Sequence, residues 1–149
     1  MQLPELEPHD FLLRRLHPEK HVTVMDEATG ERRLNWAALE FDDDGCSVYR
    51  DSILSMLGLT RVQIVEKPYT SIAETTKQRV EDHVFVHASK ELHLFTAVAA
   101  PRTELPPLQT DPAHALVVVK PNDLSNKKLE KAQRRLAAAF EVVHHEQSA

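Results

Sequence analysis

The amino-acid sequence predicts a single α+β domain, a mainly antiparallel sheet of about five or six strands with a long C-terminal helix packed on one face. Three observations carry that expectation. The chain has 149 residues, the length of one ordinary domain. Its hydrophobic share is 42% and its charged share 28%, which is globular usage and excludes disorder along the whole chain. Short apolar runs punctuated by turn residues fill residues 11–119, and one apolar stripe with helical spacing follows them.

Residues 9–17 lie between Pro8 and Pro18, and Phe11, Leu12 and Leu16 fit either two turns of helix or a first strand. Residues 22–24 are strand-like. Gly30 suits a turn, and residues 34–41 fit either a strand or a short helix, the strand being favoured as the return of a hairpin. Asp42-Asp43-Asp44-Gly45 is a turn, and residues 46–50 continue as a strand. Asp51 or Ser52 caps a short helix over 53–57 that Gly58 stops. Residues 61–66 alternate polar and apolar and read as a half-buried strand. Residues 71–79 are polar and could seat a short helix. Residues 84–86 and 92–98 read as a hairpin around residues 88–91. Pro101, Pro106, Pro107 and Pro112 make residues 101–112 a proline-rich surface loop. Residues 115–119 form the most apolar strand and belong in the middle of the sheet.

Residues 123–143 predict the long helix, capped by Asp123 or Ser125. Leu129, Ala132, Leu136, Phe140 and Val143 form its apolar stripe, and Lys127, Lys128, Lys131, Arg134 and Arg135 cluster on the opposite side. Residues 144–149 read as a frayed tail. The chain is expected to be one domain over 1–149.

Composition removes several function classes. Cys46 is the only cysteine, so an internal disulfide and a CxxC zinc site are both out. Three glycines, Gly30, Gly45 and Gly58, cannot build a P-loop or a dinucleotide fingerprint. The Asp42–Asp44 run lacks the distal glutamate of a calcium loop and should raise the Cys46 pKa, the wrong direction for a nucleophile. No apolar run approaches the length of a membrane span. The acidic N-terminus is unlike a secretory leader, so the expected location is cytoplasmic, with no membrane partner.

Charge is uneven. Residues 1–60 carry six basic and twelve acidic side chains, whereas residues 120–135 carry six basic against Asp123 and Glu130. The basic side of the last helix is therefore the expected partner-binding surface. The partner is expected to be another protein rather than nucleic acid, because the whole chain is acidic, at −5, and no aromatic residue interleaves with the lysines to stack a base.

Nine histidines stand out. No HExxH pattern occurs, so no metal site and no cofactor is expected. His21-Val22-Thr23 and His87-Ala88-Ser89 each read histidine, apolar, hydroxyl. On facing strands the two tripeptides resemble the two-histidine phosphoesterases, in which paired imidazoles serve as base and acid and the hydroxyls hold phosphate. Lys90 departs from that family's apolar position.

Three further phrases resemble a group of short uncharacterised bacterial proteins. They are Leu13-Arg14-Arg15-Leu16-His17-Pro18, Cys46-Ser47-Val48-Tyr49-Arg50, and Asp111-Pro112-Ala113-His114-Ala115-Leu116-Val117, eighteen residues in the same order. The resemblance implies a bacterial source and one domain, carries no activity with it, and raises Arg14, Arg15, His17 and His114 as residues of interest.

Two functional expectations follow. The leading one is a small soluble bacterial binding or accessory protein acting through a partner protein. Its rival is a small phosphoesterase-like or nucleotide-processing enzyme using a histidine pair, with His17, His21, His87, His114, Arg14 and Arg15 as catalytic candidates. Convergence of these histidines with Arg14 or Arg15 separates the two.

Overall fold

Leu12 and Leu16 are fully buried in one apolar cluster and Leu13 in another. Residues one apart that enter separate cores must lie on opposite sides of an extended chain. The segment between the prolines is therefore a strand, and the helical alternative is lost. The computed structural model describes residues 3–17, 22–26, 31–34, 39–42, 44–65, 71–102 and 108–143. Within them run strands β1 (Phe11–Leu16), β2 (Val22–Asp26), β3 (Glu31–Leu34) and β4 (Cys46–Arg50), then helix α1 (Asp51–Met56) and β5 (Ser71–Thr76). Helix α2 (Lys77–Asp82), β6 (Phe85–His87), β7 (Lys90–Leu92), β8 (Phe95–Ala99) and β9 (His114–Val119) follow, and α3 (Asn126–Arg135) and β10 (Glu141–Val143) close the chain.

Six strands form one antiparallel sheet in the order β10-β5-β1-β4-β9-β8, and the pairs β2–β3 and β6–β7 are separate hairpins. This is the expected α+β architecture. β9 lies between β4 and β8, the interior position its apolar run requires. The sheet's two faces have different cores. Leu12, Leu16, Cys46, Val48, Ala73, Phe95, Ala97, Ala115 and Val117 belong to one cluster, which also takes in Ala132, Leu136 and Phe140. Leu13, Tyr49 and Ile72 belong to the other, completed by Ile53 and Leu54 of α1 with Ile64, Val65 and Ala113.

Turns follow their residues closely. Asp42 and Gly45 exchange both backbone hydrogen bonds at 3.0 Å. Gly58 ends α1 in the left-handed region at φ +73°, while the Gly58 and Leu59 amides donate to the Ser55 and Leu54 carbonyls. That pair of bonds satisfies the last open carbonyls of the helix. The cap at the other end differs from expectation: α1 starts at Asp51, and Arg50 at the capping position makes no side-chain cap.

Four other expectations are corrected. Residues 61–64 form a 3-10 turn rather than a strand. Arg61 bonds both Asp51 and Glu74, and Ile64 and Val65 are buried side by side, which alternation forbids. The hairpin over Gly30 exists, but its return strand is β3, ending at Leu34 instead of beginning there. Residues 92–98 are not continuous: β7 turns back on β6, and β8 pairs with β9. The predicted helix over 123–143 is three elements. Ser125 caps α3 through the Lys128 amide, residues 136–139 tighten into a 3-10 turn, and β10 pairs with β5. The Thr75 hydroxyl donates to the Ala139 carbonyl at 2.6 Å where the helical geometry ends. Of the proline-rich loop, residues 103–107 lie outside the described residues, as do the tail over 144–149, Gly30 and His21; Asp111–Ala113 is a 3-10 turn.

Candidate functional site

Strands β1, β4 and β9, which carry the three phrases, are neighbours in the sheet. Tyr49 is paired with His114, and Ser47 with Leu116. Alternation therefore places Ser47, Tyr49 and His114 on the same face. His114 is only 5% exposed, and both ring nitrogens are engaged: Nδ1 contacts the Ala100 carbonyl at 2.8 Å and Nε2 the Ser47 hydroxyl at 2.6 Å. A carbonyl only accepts, so Nδ1 carries the proton. Nε2 is then left to accept from the Ser47 O–H. The Tyr49 ring stands edge-on to the imidazole at 5.9 Å and holds its orientation.

Arginines surround this pair. Arg102, whose amide donates to the Asp111 carbonyl, places Nη2 at 3.5 Å from the Ser47 hydroxyl oxygen. Arg15 lies over the Tyr49 ring at 5.6 Å. The ladder between β1 and β4 covers only Leu12↔Arg50 and Leu13↔Tyr49. Beyond it Arg14 donates to the Ser47 carbonyl at 2.7 Å, fixing the backbone that carries the hydroxyl. Cys46 next door is buried, and burial more than any other cause pushes its thiol pKa up; Arg14 opposes this, while Asp42 and Glu40 add to it. Cys46 is thus a core residue.

Of the residues the resemblance raised, Arg15 lies over Tyr49 on the His114 face, Arg14 reaches the Ser47 carbonyl from the opposite face, and His17 lies half-buried just past the end of β1. Ser47, Tyr49 and Arg102 were not anticipated as site residues. A lone serine on a strand carries no motif, and its histidine is 67 positions away.

The other candidates lie elsewhere. His87 ends β6 and lines a groove of about 430 Å³ with Lys90, Leu92, His93, Leu94 and Asp123. Ser89 sits in a left-handed turn at φ +64° instead of on a strand, so the His87 tripeptide lacks the strand setting of the phosphoesterase motif. His83 and His87 share no strand face, because His83 caps the end of α2 and its ring packs on Phe95. Among the described residues, no group of three or more His, Cys, Asp or Glu side chains could hold a metal ion. No described helix is long and apolar enough to cross a membrane.

His83 yields a test of its own. Its Nε2 is buried without a hydrogen-bond partner among the described residues. Burial first, and the charge of His93 second, hold the His83 pKa below the usual imidazole range. The unfolded chain therefore binds this proton more readily than the folded one. Its contribution to stability is present above the ordinary imidazole pKa and is lost as pH falls through the depressed folded value. Melting temperature is expected to drop between about pH 7 and pH 5, and to drop less in His83→Leu. Parallel pH curves for the two proteins would remove His83 from the account.

The lysines proposed as a partner surface are exposed on α3: Lys127, Lys128 and Lys131. Arg134 pairs with Glu130 one turn away, and the Arg135 guanidinium covers the Phe85 ring at 5.7 Å. All five cations are exposed.

No protein-family model, curated protein or solved structure matches the chain.

Proposed function

We propose that the protein binds a small anionic ligand of the phosphate or carboxylate class at Ser47 and Arg102, beside His114. One observation carries the reading: Arg102 points its guanidinium at a hydroxyl that is already committed to an imidazole. Arg50, Arg61, Arg79 and Arg134 all meet carboxylates. Arg102 meets no carboxylate among the described residues, where its side chain's hydrogen bond is to the Ser47 hydroxyl. An oxyanion there gains a charge-assisted bond from Arg102 and, on rotation of the hydroxyl, a second from Ser47. This reading differs from the expected partner-protein surface on the helix and puts the site on the sheet.

Inorganic phosphate is expected to raise the melting temperature beyond chloride at equal ionic strength, as any ligand of the folded state does. Arg102→Gln should weaken phosphate binding by about tenfold to a hundredfold, the worth of a hydrogen bond to a charged group. A wild-type protein indifferent to phosphate and acetate overturns the reading.

A second reading rests on the exposed lysines of α3, which meet no carboxylate among the described residues and could contact an acidic partner protein in a bacterial cytoplasm. Changing Lys128, Lys131 and Arg135 to Glu is expected to cost little stability, about 0–1 kcal/mol per exposed charge, and to leave phosphate binding unchanged. The wild-type protein should bind neither duplex nor single-stranded nucleic acid more tightly than about 10 μM at physiological salt. A gel shift at submicromolar protein that these substitutions abolish would assign the helix to nucleic acid.

A further inference from the structure

We infer that Ser47 is a nucleophile for acyl transfer, with His114 as its general base and Arg102 as the donor to the oxyanion. The inference builds on the anion site just proposed and extends it from binding to chemistry.

The geometry has the three parts such a nucleophile needs: a hydroxyl, a base within hydrogen-bond reach, and a third group that orients the base. Ser47 Oγ lies 2.6 Å from His114 Nε2, and the Ala100 carbonyl fixes the tautomer from the far side of the ring. The proton-accepting nitrogen therefore faces the hydroxyl in the resting protein. The parts are also rigid. Ser47 and His114 sit on adjacent paired strands, Tyr49 packs edge-on to the ring, and Arg14 holds the Ser47 carbonyl. Exposure is divided between them: the imidazole is buried, while Ser47 is only half-buried and can be reached. Arg102 at 3.5 Å is too distant for a strong bond to the resting hydroxyl. A carbonyl oxygen that turns anionic as Oγ attacks its carbon falls within the guanidinium's reach.

The step balances without a further reagent except water. Ser47 Oγ bonds to the carbonyl carbon of an ester or thioester while its proton passes to Nε2. The tetrahedral oxygen carries its charge beside Arg102. Collapse expels the alkoxide or thiolate, which takes the proton from Nε2 and leaves an acyl ester on Ser47. A water molecule then gives a proton to Nε2 and its oxygen to the acyl carbon. Release of the carboxylic acid restores the Ser47 hydroxyl with that proton. The released carboxylate is an anion of the class the site is proposed to hold.

An alkyl fluorophosphonate tests this on the full chain, because Oγ displaces fluoride and leaves a stable phosphonyl ester readable by mass. The expected result is a single adduct mapped to Ser47, formed at least about tenfold faster than at Ser52, Ser55 or Ser89, with a base contributing upward of that. Ser47→Ala should remove it, and His114→Gln or Arg102→Gln should slow it by about a hundredfold. If His114→Gln fails to fold, the half-buried Arg102 supplies the same comparison. Labelling that is absent, spread over several serines, or unchanged in the foldable variants overturns the inference. Phosphate stabilisation of wild type without labelling leaves an anion site with an unreactive serine, so the inference falls and the binding reading stands. Labelling without phosphate stabilisation upholds the nucleophile and overturns the binding reading.

Discussion

Leu136→Ala is expected to lower the free energy of unfolding by about 2–5 kcal/mol. Leu136 is wholly buried at the junction of α3 with the 3-10 turn, in the same cluster as Leu12, Leu16, Val48 and Ala73. Its removal costs the transfer energy of the lost carbons together with the cavity they leave. Its neighbours along the chain in that cluster are Ala132 and Ala139, which have only methyl side chains, and the larger Phe140. Leu129, on the same stripe but only half-buried, should lose less than half as much on truncation to Ala. Urea denaturation with unchanged slope measures both. A loss below about 1 kcal/mol for Leu136 would mean that the helix end is not part of the core.

That stripe also shows what the sequence can and cannot say. Leu129, Ala132, Leu136 and Phe140 recur at helical spacing, and all but Leu129 are buried. The spacing is indifferent to whether the chain stays helical after Leu136. Three alanines and then Val142-Val143 follow, and β-branched residues suit a strand when an edge is free. The free edge belongs to β5, where Val143 meets Ile72, 71 positions back. Nothing local announces it. Residues 61–64 fail for a similar reason: their alternation is genuine, but Arg61 is drawn to Asp51 and Glu74. Turns were the most legible features because Gly45 and Gly58 act within a few residues of themselves.

The site was half legible. Arg14, Arg15 and His114 could be singled out by phrase; Arg15 shares the His114 face through Tyr49, while Arg14 holds the Ser47 backbone from the other. Counting histidines led away from it, toward His21, His87 and a pairing for which Ser89 lacks the strand. Ser47 and Arg102 acquire meaning only through register. The pairing Ser47↔Leu116 lies two residue pairs from Tyr49↔His114, which puts the hydroxyl on the same face as the imidazole. A slip of one residue would turn Ser47 to the opposite face.

That register depends on the start of β4, and Gly45→Ala should damage it most. Gly45 has φ +125°, a conformation L side chains rarely adopt, and a Cβ built there comes within 2.6 Å of the Val117 carbonyl oxygen. The obstacle is backbone on β9, paired at Val117 with Cys46, so it cannot rotate away as a side chain would. Backbone strain of about 1–3 kcal/mol adds to an overpacking penalty of about 1–3 kcal/mol. The variant is expected to lose about 2–6 kcal/mol from these two causes together. Whatever fraction folds should relieve the clash by moving β4 away from β9, the two strands that bring Ser47 to His114. Phosphate stabilisation should then be lost together with thermal stability. Gly58→Ala is the control, for that position is strained at φ +73° but meets nothing within 4 Å; it should lose only about 1–2 kcal/mol and keep phosphate binding intact. A Gly45→Ala protein that melts like wild type and still binds phosphate would show that β4 reaches its register without the glycine.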